Sequence, residues 1–521
     1  MTTPTPPTNV TTLAGLSSAG SRPDTHHPLY DAMRLRWTVC RDVAGGTEVF
    51  RAKRDTYLPR FEGEESTDWA ARVDMSFVFD ALAQTVAALV GLAFRKDPVL
   101  GPDVPVQMKE LWENLDGEGT HGALVAQQVL TDALLDGHAG LLVDYPAVPA
   151  NLSAAQEQAL GARPYLVPLT ASQIINWRVE AVGSRRMLTL LVVEELAPQA
   201  VGAFGHQSLR RWRVFYQRWQ DEARTLPFVE YEVYEQAAAV TGTGPRLVVG
   251  PAVLGNQSTI PFFPVYGGCK RDWMVSDPPL IGLAYSNINH AQVASDRRYS
   301  LHKCAIPVPV FVGRAPSATG GEEIKMSSSS GIDVVIGGNA FYMEPAGAAL
   351  GALREELLDI EKRMAGQGLS LLQRDQAAAE TATAFALQRS REESRLATAV
   401  RSCQDALEGA LGAMAAYLRL LDGGSVEMSR DFTTLGISAN EIATLSTLVE
   451  RGQLPLSRLL GALAKGGVLP EDINPEQAAD QAQREQAAGE PAPAPMPTGD
   501  LLAALAGNVT GPAGAAVTTA P

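Results

Sequence analysis

Basic residues are in short supply: 43 Lys and Arg stand against 58 Asp and Glu over 521 residues, a formal net charge of −15. That deficit argues against a protein that gains affinity by gripping phosphate backbones and releasing counterions. Cysteine is scarcer still. The four present, Cys40, Cys269, Cys304 and Cys403, contain no Cys-x-x-Cys pair, which excludes a disulfide framework or a cysteine zinc site and points to a reducing compartment. No run approaches the about 18 apolar residues of a membrane span, and the first 21 residues carry no basic-then-apolar leader. Synthesis in the cytoplasm and no membrane contact are expected.

Catalytic signatures are missing as well. The sequence holds no Gly-x-x-x-x-Gly-Lys-Ser/Thr, no Gly-x-Gly-x-x-Gly opening a helix, no Gly-x-Ser-x-Gly and no His-Glu-x-x-His, so no catalytic residue, metal or cofactor is expected. His26 and His27 sit beside prolines and read as solvated polar residues, while His121 and His138 read as helix-end groups. Acidic pairs such as Glu194-Glu195 and Glu355-Glu356 read as solvated faces.

What is present is ordinary globular material, 45% hydrophobic with only 6% aromatic. Cores must therefore lean on Leu, Val and Ala, which favours more helix than sheet, an α+β class rich in helix. Apolar stripes at Leu82, Val86, Leu89, Val90 and Ala93, and at Leu124 to Leu134 before Gly137, mark two helices; a strand follows at Gly140–Tyr145. Residues 163–265 alternate with period two, as an antiparallel sheet does. Leu280 to His302 returns to helix, Val308 to Val312 reads as a strand, and a Gly- and Ser-rich segment runs to Met343. A helix beginning near Ala348 stacks Leu353, Leu357, Ile360 and Met364 and breaks at Gly366-Gln-Gly368. Leu396, Val400, Cys403, Leu407, Leu411, Met414, Leu418 and Leu421 then mark one helix about 55 Å long. The end is a small helical region opened by the capping box Ser438 to Glu441. Residues 1–27 and 486–521 have the composition of disordered tails.

This order of segments resembles that of the portal proteins of tailed bacteriophages. The phrases that carry the resemblance are Tyr57-Leu-Pro59, Leu89-Val-Gly-Leu-Ala-Phe94, Gly140-Leu-Leu-Val-Asp-Tyr-Pro146, Arg163-Pro-Tyr165, Ile175-Asn-Trp-Arg178, Pro278-Pro-Leu280, Asn289-His290, Ser295-Asp296 and Thr381-Ala-Thr-Ala384. It implies a portal-like fold: a wing over 28–275, a first stem helix over 278–303, a clip over 304–346 and a second stem helix over 347–365. A tunnel loop over 366–384 and a long helix with crown over 385–480 complete it. It further implies a homo-oligomeric ring of twelve subunits at one capsid vertex of a virion, a channel for genome packaging and ejection. The implied partners are double-stranded DNA sliding through without sequence recognition, the major capsid protein, the terminase large subunit and a tail adaptor. Arg363, Gly366, Gln367, Gly368, Gln373 and Arg374 would then line the channel, and Lys325, Met326, Gly331, Asp333 and Asn339 would dock motor or adaptor. A net negative wall suits a sliding polyanion. Two alternatives remain, another oligomeric head-tail structural protein and an enzyme with an unrecognised site; length speaks against a short adaptor, the empty motif search against an enzyme.

Overall fold

The computed structural model describes residues 22–146, 156, 160–236, 244–304, 308–312, 338–343, 348–368, 382–430, 432, 439–465 and 474–487. Contacts divide the chain into two units, residues 1–430 and 431–521. Helix exceeds strand, 46% against 26%, an α+β mixture.

The first unit begins with α1 (Pro28–Ala44), α2 (Gly46–Ala52), α3 (Ser66–Met75) and α4 (Ala81–Ala93). Then come β1 (Val99–Leu100), α5 (Val106–Trp112), α6 (Gly122–Asp136) and β2 (His138–Asp144). The chain between α6 and β2 turns at Gly137, whose φ of +89° and closeness to the Ser276 carbonyl leave no room for a side chain. Next are β3 (Tyr165–Thr170), β4 (Ile174–Val182), β5 (Arg185–Val201), β6 (Gly205–Trp219), β7 (Pro227–Gln236) and β8 (Pro245–Val253). They are followed by β9 (Phe262–Tyr266), β10 (Lys270–Asp272) and β11 (Val275–Ser276). The unit closes with α7 (Ile281–Cys304), β12 (Val308–Val312), β13 (Asn339–Met343), α8 (Ala348–Gln367), α9 (Ala382–Tyr417) and β14 (Val426–Glu427).

Two sheets organise it. A three-stranded sheet in the order β3-β2-β9 has β2 buried over His138–Val143, and α6 and α9 both pack on that strand. This explains why β2 reads as a continuous apolar run rather than an alternation. β4 to β8 form a second, antiparallel meander whose core includes Trp177, Leu191, Trp212, Val214 and Phe215. It carries most of the period-two pattern of residues 163–265, but that stretch is not one sheet: β3 and β9 at its two ends belong to the first sheet.

The second unit holds α10 (Ala439–Glu450), α11 (Leu456–Lys465) and α12 (Pro475–Ala487), with Leu459 and Ala479 buried.

Several expectations change. Residues 22–27, assigned to a disordered tail, are engaged: the His27 amide donates to the Ile175 carbonyl at 2.9 Å, and Asn176 Nδ2 donates to the Thr25 carbonyl at 2.8 Å. His27 is not a solvated residue; it caps α1 and stacks on Trp177 with ring centroids 4.1 Å apart. His138 is no helix-end group but a wholly buried strand residue between Trp37 and Tyr266. α9 stops at Tyr417 because Arg419 takes a positive φ of 59°, which leaves Leu421 fully exposed rather than on the helix stripe. Residues 486 and 487, assigned to the second tail, end α12 instead, and the tail expectations for 1–21 and 488–521 lie outside the described residues.

Candidate functional site

α7 and α8 run antiparallel. Ser286 Oγ donates to Gln367 Oε1 at 2.7 Å, and one turn further along α7, His290 Nε2 lies 3.4 Å from Glu361 Oε1. Leu357, Ile360 and Met364 of α8, at spacings that put them on one stripe, are buried, as are Leu283 and Ala284 of α7, while Ala291 of α7 packs with Phe50, Tyr57 and Leu58 of the body. Most of the α8 circumference stays exposed, including Glu355, Glu356, Asp359, Lys362 and the apolar Leu358.

α7 carries many polar residues, and the structure shows what they do. Asn287 Nδ2 donates to the Phe79 carbonyl at 2.6 Å while its Oδ1 accepts from the Leu82 amide at 3.2 Å. Gln292 Nε2 donates to the Tyr57 carbonyl at 2.7 Å, Ser295 Oγ to the Arg72 carbonyl at 3.2 Å, and Arg298 Nη1 to the Met75 carbonyl at 3.1 Å. These side chains satisfy backbone groups that the turns between α2, α3 and α4 would otherwise bury unpaired. The helix is thereby fixed along one flank to the body.

At the far end of the pair, β12 and β13 form a two-stranded antiparallel ribbon in the register Val308↔Met343 to Val312↔Asn339. Asn339 is exposed there, opposite the exposed Val312 and on the same face as Phe341. Lys325, Met326, Gly331 and Asp333 lie outside the described residues, as do Gln373 and Arg374.

The other expected channel residues divide. Arg363 is exposed and pairs with Glu356 at 3.0 Å, one helical face of α8. Gly366 is exposed within the last turn of α8, which ends at Gln367, inside the expected Gly366-Gln-Gly368 break. Gln367 is held by Ser286. Gly368 is buried: a Cβ there would stand 2.8 Å from Thr85 Cγ2 of α4 and 3.2 Å from Leu283 Cδ2. It is the point where the end of α8 presses onto α4, and glycine alone allows that approach.

Buried charge elsewhere is matched. Arg41 holds Asp132 and Asp136 at 2.7 Å each, and Arg213 holds Asp144 at 2.7 Å while Tyr165 donates to the same oxygen at 2.8 Å. Burial raises the Asp132 and Asp136 carboxyls above their usual range, with Arg41 opposing it. Both carboxylates are thus occupied as guanidinium partners. Burial likewise pushes the Cys403 thiol, and with Asp136 the Cys40 thiol, up to about 12, which leaves them unreactive. Among the described residues no group of three or more His, Cys, Asp or Glu converges to hold a metal, and no helix is long and apolar enough to cross a membrane.

Sequence reasoning named Asn289-His290 and Ser295-Asp296 only as phrases; Asn287, Gln292 and Arg72 went unnoticed. For Asn287 and Gln292 the signal was available in the polar residues on a helix bracketed by apolar ones, a pattern that means buried hydrogen bonds rather than solvent.

Residues 279–418 match the model of a family described as a domain of unknown function (DUF4055), a stretch that runs from just before α7 to just beyond α9. Among solved structures, a chain in the "neck of empty GTA particle computed with C6 symmetry" is 11% identical with a TM-score of 0.39, over 74% of this chain and 90% of that one. A chain in the "virion of native gene transfer agent (GTA) particle" is 12% identical with a TM-score of 0.35, over 77% and 94%. A third, in the "neck of native GTA particle computed with C12 symmetry", is 11% identical with a TM-score of 0.36, over 80% and 98%. No curated protein matches the chain.

Proposed function

We propose that this chain is a portal subunit, one of about twelve that form a ring at a capsid vertex of a phage-like virion. The observation that carries this reading is the antiparallel α7/α8 pair, fixed to the body along α7, ending in the β12/β13 ribbon and followed by the 36-residue α9. That is the order of stem, clip, stem and long helix which the sequence resemblance implies. The broadly exposed circumference of α8 offers a lateral surface that a lone subunit leaves uncovered, and closed rings use such surfaces in head-to-tail contacts. A net charge of −15 keeps a passing duplex from adhering to the wall.

In this role the ring serves genome packaging and ejection. The partners would be double-stranded DNA in the channel, the major capsid protein around it, and at the ribbon end the terminase large subunit during packaging and a tail adaptor afterwards. The chain performs no catalysis of its own. A head-tail structural protein of the virion is the broader form of the same reading.

Native mass spectrometry of the purified full chain tests it. Twelve copies of 55.4 kDa give an assembly of about 0.66 MDa. Monomers or dimers at every concentration and salt would overturn it.

A further inference from the structure

Pairing in the second sheet leaves one hairpin unaccompanied. β4 pairs with β5 only as far as Ile174↔Val193, and β7 pairs with β6 only from Arg211↔Glu235. Between those limits β5 and β6 pair with each other alone, out to Val201↔Gly205. Every residue from Pro198 to Ser208 is exposed, and no Asp, Glu, Lys or Arg occurs between Ala197 and Leu209. At the tip Phe204 is 94% exposed, flanked by Val201 at 50%, with Leu196 at 66% further down the same arm. An uncharged arm ending in a bare aromatic ring is costly in water and marks a contact surface.

A complementary surface exists at the other end of the same sheet. A groove of about 410 Å³ is lined by the His27–Trp177 ring stack, Leu29, Leu190 and Trp273, and on its polar side by the Arg186–Asp272 ion pair at 3.8 Å. Arg178 stands exposed at its rim with no ion pair and no ring partner among the described residues, whereas Arg210, Arg213, Arg218 and Arg224 each lie over an aromatic ring. A free guanidinium beside exposed ring edges suits an incoming aromatic side chain, which it can cover by a cation–π contact.

The arm cannot fill its own groove. Leu190 and Val201 lie on one strand, about 36 Å apart at roughly 3.3 Å per residue. Knob and hole at opposite ends of one rigid sheet join only between copies, and each joined pair leaves one knob and one hole open. That is a heterologous contact, the kind that closes into a ring.

We propose that the Phe204 tip of each subunit inserts into the Trp177/Trp273 groove of the next, with Arg178 over the inserted ring. This deepens the ring reading and rests on it, by naming which surfaces meet.

A photo-crosslinking phenylalanine analogue placed at position 204 of the full chain tests it. Irradiated assemblies should yield covalent dimers whose crosslinked peptides contain Trp177 or Trp273. Phe204→Asp should lower the assembled fraction at least tenfold without changing the melting temperature, since the side chain touches solvent. Trp273→Ala should lower the assembled fraction likewise, with some loss of melting temperature because this ring also packs on the sheet core, and mixing the two variants should restore dimers but not rings, because one good contact remains per pair. Rings that persist in Phe204→Asp, or crosslinks to another region, within one chain, or to a different protein in assembled particles, would overturn the inference while leaving the ring reading intact. Monomers in the unsubstituted chain would overturn both.

Discussion

Arg72 and Asp296 are 224 residues apart in sequence and 3.4 Å apart in the fold. The guanidinium, 2% exposed, is also held by both carboxylate oxygens of Glu64 at 2.9 Å and by the Pro59 carbonyl at 2.8 Å, with Phe61 stacked 4.2 Å away. One side chain therefore ties α3, the turn before it and α7 into a single block. Burial raises the Asp296 carboxyl above its usual range, with Arg72 pulling against it, while Arg72 holds the Glu64 carboxyl low.

Arg72→Met should cost about 3–5 kcal/mol, because it leaves the Glu64 carboxylate buried without its partner. Asp296→Asn should cost less than about 1 kcal/mol, since that partner is a third exposed and its bond is long. Thermal melting ranks the two, and hydrogen exchange should show Arg72→Met loosening residues 281–304 as well as α3. Equal effects would mean that Asp296 shares the anchoring with Glu64.

The two glycines at the end of α8 should respond in opposite directions. Gly366→Ala has open space around its Cβ and a helical backbone, so it should stabilise by about 0.5–1 kcal/mol. Gly368→Ala forces a Cβ against Thr85, whose branched side chain on α4 has little rotamer freedom, and should destabilise by roughly 1–3 kcal/mol. Melting temperatures of the single variants decide it; a neutral Gly368→Ala would show that α8 can lift from α4.

Acid should weaken the core at His138. Burial holds this imidazole down at about 3, and neither ring nitrogen has a partner among the described residues. The unfolded chain takes up a proton below about 6.5 and the folded chain does not, so stability falls as the pH drops from there towards 3. Between pH 7 and pH 5 the loss is about 2 kcal/mol from this group alone. His138→Phe keeps the ring against Trp37 without the proton site, and its melting temperature should fall less over that range than that of the unsubstituted chain. Parallel curves would contradict the assignment.

The chain should not turn over nucleotide. With no phosphate-cradling motif and its buried Asp132, Asp136 and Asp144 carboxylates each held by a guanidinium, purified protein should neither hydrolyse ATP nor cut DNA. Phosphate release that tracks the protein through purification would overturn this.

Much of the architecture was legible in periodicity. The spacing of Leu396, Val400, Cys403, Leu407, Leu411 and Met414 marked a helix, and all six are buried; Gly137 marked its helix end, and period two marked the meander. Such features are local, set by which face of an element meets water. Long-range pairings were not legible: β1 pairs with β14 across more than 300 residues, and β2 chooses β3 and β9 as neighbours. Nothing in Val99-Leu100 encodes Val426-Glu427 as partner, because a strand edge accepts any backbone. At the site, Gly366 and Gly368 looked equivalent in sequence, and only packing against Thr85 separates them. Arg72 carried no mark in the spacing, since its partners are carboxylates and a carbonyl outside its own helix, whereas Asn287 sits in the polar pattern of α7.

Averaged electron micrographs of the purified full chain test the central claim most directly. The account predicts ring-shaped particles of about twelve-fold symmetry, with an open centre wide enough for duplex DNA and a narrower projecting end formed by the α7/α8 pairs. Solid particles without a central opening, or a field of monomers at every concentration, would contradict it.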